Sequence, residues 1–376
     1  MATACLSDWI ALNLLPGVGP RLARRAVEFF GDAATVAYRV DPQEFGAVVR
    51  SGKLAARTIE DARRTLRRDA ERELRRCRRH GILAIPYQDP AFPRLLLEIP
   101  DPPILLYQRG EIPDDRLRVA VIGSRSPTSD GRHLATGLGG GLAARGIEVV
   151  SGGARGIDGL AHRAALAAEG RTIAVLGSGL LEPYPREHAR LFEEIAEKGA
   201  VLTEFPLDTP PLGGHFPRRN RLISGLSAAV VVVEAAERSG TLNTAAHALE
   251  QGREVMAVPG RVFSERSVGC HRLIQEGAKL VQNIDDIFAE LPPEYLRGVL
   301  PAAGLPEAPG LEGLSEDEAL IMKVLDANGP VHLDELAESA LIGIARLQSA
   351  LLGLELRGAV EQSAGRYYLL RPRREL

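Results

Sequence analysis

The sequence predicts an α/β protein built on a doubly wound, largely parallel sheet, with a helical segment before it and a winged helix after it. Three observations carry this. From Arg118 to Gln282, short Val- and Ile-rich runs alternate with helical patterns, as βα units buried on both faces require. Residues 1–80 show helical periodicity without strand-like runs. The C-terminal part gives three helical stretches and a hairpin. A length of 376 residues, 45% hydrophobic and 25% charged, suits two or three domains with a sizeable core.

In chain order, Asp8–Leu15 is apolar-periodic, Leu15-Pro-Gly-Val-Gly-Pro20 breaks the chain, and a second helix follows from Arg21 to Phe30. Alternate glycines in such a turn leave backbone N–H groups free to seat a phosphate; the turn resembles a helix–hairpin–helix motif and equally suits a plain packing corner. Arg57–Arg79 reads as one long helix with ten arginines against five acids. Glu60–Arg64 and Glu71–Arg75 have the i,i+4 spacing of a solvated face, and the excess positive charge leaves attraction of nucleic acid at low salt as the alternative.

The α/β region places strands at Val119–Ile122, Glu148–Val150, Ile173–Leu176, Val201–Thr203, Ala229–Val233, Val255–Val258 and Leu280–Gln282, with helices at Gly131–Arg145, Gly159–Ala168, Glu187–Lys198 and Leu242–Gln251. The resulting division is a helical domain over 1–80, the sheet domain over 81–290, a Pro- and Gly-rich linker over 291–313 and a winged helix over 314–376. Ser315-Glu-Asp-Glu318 is a capping box that opens a helix stopping before Gly329-Pro330. Leu333–Glu338 and Ile344–Arg357 follow, then a hairpin of Ala359–Gln362 and Arg366–Leu370 around Ser363-Ala-Gly365. Ser315–Glu361 holds nine acids and three bases, a net charge of −6, and its recognition helix offers only Arg346 and Arg357. That charge repels a duplex, so a protein-contact or structural role is expected of this domain.

Composition excludes several classes. Three scattered cysteines form no paired or metal-ligand spacing, which predicts a reduced, cytoplasmic setting and no metal. The opening residues lack a signal-peptide pattern, and no apolar run is long enough for a bilayer, so no membrane insertion is expected. A net charge of −3 confines any nucleic-acid binding to local patches.

The chemistry concentrates at strand ends. Phe216-Pro-Arg-Arg-Asn-Arg-Leu-Ile-Ser-Gly-Leu-Ser227 carries Arg218, Arg219 and Arg221, and no Asp or Glu occurs from Thr209 to Val233. Guanidinium groups grip phosphate in bidentate fashion, and the interleaved Phe216 and Asn220 suit a base or a phosphate. A loop of solvated arginines is the alternative. Three glycine-rich turns join it: Gly123-Ser124-Arg125; Ser151-Gly152-Gly153-Ala154-Arg155-Gly156-Ile-Asp158; and Ser239-Gly240-Thr241. Glycines let backbone amides approach an anion, and Asp158 is placed to cap the next helix. No dinucleotide fingerprint, Walker lysine or nucleophile elbow is present, so no cofactor is expected. His162, four residues after Asp158, fits a local hydrogen bond steadying the turn; His215 flanks the basic segment, and His271 beside Cys270 reads as structural.

Together these motifs resemble the DprA/Smf DNA-processing family. The likeness runs from about Ile82 to Ile287, opening with Pro93-Arg-Leu-Leu-Leu-Glu-Ile-Pro-Asp-Pro-Pro-Ile-Leu-Leu-Tyr107 and closing with Pro259-Gly260. The resemblance implies an extended Rossmann-like sheet domain, an N-terminal SAM/helix-hairpin-helix-like domain, and a recombination mediator rather than an enzyme. It implies binding of single-stranded DNA, a homodimer through the Rossmann domain and loading of a RecA-type recombinase during natural transformation. Carried over by motif, the DNA-binding residues are Ser124, Arg125, Gly152, Gly153, Ala154, Arg155, Gly156, Phe216, Arg218, Arg219, Asn220, Arg221, Ser239, Gly240 and Thr241. One departure is Asp130 before Gly131, where an aromatic often stands. The alternative function is a nucleotide-binding or phosphoribohydrolase-like enzyme. That pattern needs a Glu three residues after its Gly-Thr, a position Thr244 fills here.

Overall fold

The computed structural model describes residues 5–41, 44, 56–114, 116–291, 314–328, 331–357, 359–363 and 366–370. The chain divides into two compact units, 1–301 and 302–376. Of the expected linker, residues 292–313 lie outside the described residues, as do Gly329-Pro330 and two residues of the C-terminal turn, Ala364 and Gly365.

The first unit begins with helices α1 (Leu6–Leu14), α2 (Pro20–Phe30), α3 (Ala33–Tyr38) and α4 (Ala56–Arg79). The break between α1 and α2 falls where the Pro-Gly-Val-Gly-Pro turn puts it. Gly17 takes a φ of 77°, and Gly19 caps α2 with Pro20 at the first helical position, where its missing N–H is harmless. On α4, Arg75 pairs with Glu71 at 3.8 Å as expected, whereas Arg64 pairs with Asp61 at 3.5 Å instead of Glu60.

Next come β1 (Leu83–Pro86), the single turn α5 (Arg94–Leu97), β2 (Leu105–Gly110), β3 (Arg118–Ile122), α6 (Ser129–Ala144), β4 (Glu148–Ser151), α7 (Ile157–Ala167) and β5 (Thr172–Val175). They are followed by α8 (Ala189–Lys198), β6 (Ala200–Thr203), α9 (His215–Gly225), β7 (Ala229–Val232), α10 (Gly240–Glu250), β8 (Glu254–Ala257), α11 (Val268–Gln275), β9 (Lys279–Leu280) and α12 (Ile284–Glu290). The strands form one sheet in the order β1-β2-β6-β5-β4-β3-β7-β8-β9. β6 to β9 run parallel, while β2 joins β6 antiparallel and β1 joins β2 antiparallel. The antiparallel pair extends the predicted sheet, and Phe216 to Gly225 proves to be helical rather than a loop.

Alternation within strands fills both faces. Ala120, Ile122, Val230 and Val232 face one core, and Val119, Val121, Ala229 and Val231 face the other. The N-terminal helices share a third core with Leu105, Tyr107 and Leu207. Glu73 of α4 accepts the Leu207 N–H at 2.7 Å, and Arg76 pairs with Asp208. Chain order reverses at β3, with β4, β5 and β6 to one side and β7, β8 and β9 to the other. The carboxyl ends around this switch are where an open α/β sheet presents its ligand crevice.

The second unit packs α13 (Glu316–Asn328), α14 (Leu333–Ala340) and α15 (Ile344–Leu356) against β10 (Val331–His332), β11 (Val360–Ser363) and β12 (Tyr367–Leu370), in sheet order β10-β12-β11. Glu318 accepts the Ser315 N–H at 2.7 Å and Ser315 Oγ accepts the Glu318 N–H at 3.2 Å, which is the expected capping box. The two bases expected on the recognition helix are engaged by acids: Arg346 of α15 grips Asp317 with two bonds, and Arg357, the residue that follows α15, lies 4.0 Å from Glu318. Among the described residues no helix is long and apolar enough to cross a membrane.

One buried ion triad ties the sheet's amino ends. Glu148, fully buried, accepts from Arg118 at 2.8 Å and Arg171 at 2.7 Å. Removing its charge strands two guanidiniums, so Glu148→Gln is expected to lower unfolding free energy by about 3–5 kcal/mol in urea titration, and a loss below ~1 kcal/mol would show the triad to be dispensable.

Candidate functional site

The site is built where β3, β4, β5 and β6 end. α9 breaks the arginine cluster into two groups because of helical spacing. Residues three apart share a face, so Arg218 and Arg221 meet the same partner, Glu204, at the end of β6. Arg218 bonds both Glu204 oxygens at 3.0 and 3.1 Å, and Arg221 bonds Oε2 at 2.7 Å. Glu204 and Arg221 are buried, and Asp101 lies a further 3.6 Å from Arg221. Arg218 also lies over Phe205 at 4.9 Å. These two arginines therefore do not form the open phosphate clamp expected of them: the carboxylate that neutralises them stands outside the acid-free window of Thr209–Val233.

Arg219 points the other way and is only 4% exposed. Its Nη1 donates to the Gly152 carbonyl at 2.6 Å and to the Val175 carbonyl, and its Nε donates to Asn220 Oδ1 at 3.3 Å. Burial lowers its pKa to about 10, opposed by the charge of Asp158, so it stays a cation at neutral pH. A Cβ on Gly152 would sit 2.6–2.8 Å from the guanidinium, which explains the glycine there.

Beside it lies a shallow depression lined by Arg125, Gly152, Ala154, Arg155, Tyr184, Pro185, Phe216 and Arg219. Its volume is about 10 Å³, and Phe216 stands in its wall. The guanidiniums of Arg125 and Arg219 stand 5.5 and 6.0 Å from its ring centre, and Tyr184 is tilted against it at 5.7 Å. Arg155 reaches across to Glu187 and lies 5.9 Å from the Tyr184 ring. No carboxylate lines this space. An exposed arginine, a buried arginine without a carboxylate bond, and two aromatic rings are what a phosphate with an adjoining base would meet.

The glycine turn behaves differently from expectation. Asp158 does not cap its own helix; its Oδ2 turns back and accepts the N–H groups of Gly152 at 3.1 Å and Ala154 at 3.3 Å. Those two amides are thus committed inside the fold. The Ile157 N–H is taken by Ser124's carbonyl at 3.1 Å and that of Gly159 by Ala154's at 3.1 Å. Gly153 and Gly156 adopt φ of 64° and 75°, and a side chain at Gly156 would collide with the Ser124 and Arg125 backbone. Ser124 Oγ accepts the Ser126 N–H at 3.2 Å, shaping the loop that carries Arg125.

The third turn stays off the depression. Ser239 caps α10 through the Thr241 N–H, Thr241 Oγ1 donates to Gly123's carbonyl at 3.3 Å, and Asn220 donates to Gly240's carbonyl at 3.2 Å and to Asn243 Oδ1 at 3.3 Å. Asn220 and Ser239–Thr241 hold the corners in place instead of lining the space. Thr128 caps α6, and exposed Asp130 lies 3.9 Å from Arg261. His162 does not meet Asp158: its Nδ1 lies 2.7 Å from Thr172 Oγ1. His215 stacks on Phe205 at 4.3 Å, and His271 Nε2 lies 3.0 Å from the Gly260 carbonyl oxygen and 3.3 Å from its amide nitrogen. Sequence reasoning missed Tyr184 and Glu204, the first because it belongs to none of the glycine turns or the arginine cluster, the second because it precedes Arg218 by 14 residues along the chain. Among the described residues no group of three or more His, Cys, Asp or Glu side chains could hold a metal ion.

With this geometry in view, the comparisons are specific. A family model described as DNA recombination-mediator protein A matches residues 84–292, and one described as DprA winged helix domain matches 305–366. A curated relative, the putative DNA processing protein DprA of Mycobacterium tuberculosis, is 43% identical over 274 residues, spanning 72% of this chain and 69% of the relative. The X-ray structure of DNA processing protein A from Streptococcus pneumoniae superposes with a TM-score of 0.68 at 33% identity, covering 77% of this chain and 99% of that one. DNA processing protein A from Helicobacter pylori, whose structure concerns its single-stranded DNA binding mode, gives a TM-score of 0.51 at 31% identity, covering 55% and 94%.

Two outcomes follow from the geometry. Arg221→Ala, which strips buried Glu204 of a partner, is expected to destabilise by about 3 kcal/mol in urea unfolding, while exposed Arg125→Ala stays within ~0.5 kcal/mol; equal losses would refute the separation into a structural and an open set. Burial also pushes the His162 pKa down from 6.5 to about 3. Between those values the unfolded chain binds a proton that the fold refuses, so stability is lost as pH falls through that window. His162→Gln should flatten this part of the acid-unfolding profile, and an unchanged profile would assign the loss elsewhere.

Proposed function

The chain belongs to the DNA recombination-mediator protein A family, and from that premise we propose that it binds single-stranded DNA in the Phe216 depression as a recombination mediator. The observation that carries this reading is the pairing of Arg125 and buried Arg219 around one aromatic ring with no carboxylate in the lining. Phosphate takes the guanidiniums, and a base takes the ring face of Phe216 or Tyr184. Arg155 joins by exchanging Glu187 for phosphate, helped by its own amide and that of Gly156. Ser124, Gly152, Gly153 and Ala154 shape the floor. Arg218, Asn220, Arg221, Ser239, Gly240 and Thr241 act from behind, fixing α9 and the corners.

A site of this kind reads backbone and strand form rather than sequence, which suits a protein that must accept any incoming strand. The reading includes a homodimer through the Rossmann domain, which would place two sites on one strand and raise avidity. It also includes loading of a RecA-type recombinase in the cytoplasm during natural transformation, with no catalytic step of its own. Support for a binder over a nucleotide hydrolase comes from the site's acids. Asp158 is turned inward onto two amides, and Glu234 is held by Thr128, so neither is free to assist at a ribose.

The test is binding of fluorescent single and double strands across a salt series. Wild type is expected to prefer single strands, and Arg125→Ala/Arg155→Ala to reduce the log–log salt slope by about 1.4, two contacts at ~0.7 each. Equal binding of mononucleotides and long strands, or an unchanged slope, would overturn the reading. A recombinase-loading assay on the same variant then tests the mediator step, and light scattering tests the dimer.

A further inference from the structure

A second, larger depression adjoins the first. Its volume is about 420 Å³, and Arg125, Arg132, Arg163 and Arg266 line it together with His188 and the Gly156–Gly159 corner. The four arginines come from four places in the chain: the loop after β3, the first turns of α6, the middle of α7 and the loop before α11. All four are exposed. No Asp or Glu lines the space. Arginines nearby are treated differently: Arg261 has Asp130 at 3.9 Å, and Arg155 has Glu187. Arg132, Arg163 and Arg266 form no ion pair with a carboxylate among the described residues.

Four like charges turned toward one concavity repel each other, and an anion in the middle relieves that repulsion. The volume falls within the roughly 300–1,000 Å³ of ligand sites, enough for a nucleotide unit. Pro127 and Leu160 supply an apolar patch in the same lining, against which a sugar or base can lie. Arg125 belongs to both depressions. A phosphate held there has the Phe216 ring on one side and the second space on the other.

We propose that this second compartment binds the next stretch of the same strand, with Arg132 and Arg163 taking successive phosphates after the one at Arg125. The proposal rests on the single-strand reading above and deepens it by giving the strand a path from Phe216 across Arg125 toward Arg266. Bound strand should therefore gain affinity with length once it extends past the first depression.

The experiment compares a thymidine dinucleotide, which has a single internucleotide phosphate for Arg125, with an oligomer of about 16 nucleotides, the upper end of the range over which single-strand sites vary, on wild type, Arg125→Ala and Arg132→Ala/Arg163→Ala. Inorganic pyrophosphate is titrated in parallel, and urea unfolding checks that the exposed substitutions leave the fold intact. The expected result is that Arg132→Ala/Arg163→Ala binds the dinucleotide as wild type does, loses about tenfold on the long oligomer, and drops its salt slope by about 1.4. Pyrophosphate binding should fall in the same variant. If the double variant keeps wild-type affinity and slope on the long oligomer while Arg125→Ala is weakened, the strand does not run through this compartment and the proposal is overturned with the single-strand reading intact. If wild type binds neither the dinucleotide nor the long oligomer, both fall, and pyrophosphate binding lost with Arg132 and Arg163 would then mark a site for small phosphates alone.

Discussion

The site depends on the seating of one cation. Arg219 is inside the protein, bonded to two backbone carbonyls and to Asn220, with no carboxylate bonded to it. Burying an unpaired charge is among the most costly arrangements a fold can contain. Here it is tolerated because the Gly152 and Val175 carbonyls aim their dipoles at the guanidinium and Asp158 lies close enough to oppose the loss of its charge. The carbonyl contact exists only because residue 152 has no side chain. The same Asp158 holds the Gly152 and Ala154 amides, so the turn that receives Arg219 and the acid that offsets it form one unit. Positive potential is thereby fixed at the end of β4, under Phe216, before any ligand arrives.

Arginine count alone would have assigned the wrong residues to the open positive charge. Arg218 and Arg221 are neutralised by Glu204, and their effect is to clamp α9 onto the end of β6. Arg219, between them in sequence, is turned roughly 100° around the helix and reaches a different environment. A helix thus sorts adjacent arginines into a clamp and a charge source, and the clamp keeps the charge source in register with the Gly152 turn.

Much of the fold was legible because β3 to β8 are short apolar runs and the helices between them carry clear periodicity, signals that act over a few residues. The antiparallel β1 and β2 were not read, since Leu83–Pro86 includes a proline and Leu105–Gly110 lies against the proline-rich Asp101-Pro-Pro103, both signs that ordinarily argue against strands. α9 was missed because Pro217 and a run of charge hide its apolar stripe of Leu222 and Ile223. In the site, Arg125, Arg219, Phe216 and the Gly152–Gly156 turn were legible as types at strand ends. The partners that decide their roles were not: Glu204 for Arg218, Thr172 for His162, Gly123 for Thr241. Each lies ten or more residues away, and only the crossover topology brings it near.

The same limit explains why the second compartment escapes any motif. Arg132, Arg163 and Arg266 sit on separate elements, and none belongs to a glycine turn. What distinguishes them is convergence. Exposed arginines elsewhere either pair with a carboxylate one turn along their own helices, as Arg190 and Arg272 do, or form no ion pair among the described residues yet line neither depression, as Arg78, Arg186 and Arg238 do. Such pairs are worth little in stability, so the fold gains almost nothing by forming or refusing them. Where three exposed arginines from different elements face one concavity and no acid has been placed among them, stability does not account for the pattern. The unneutralised charge fits the strand path proposed above, in which phosphates would supply the missing partners.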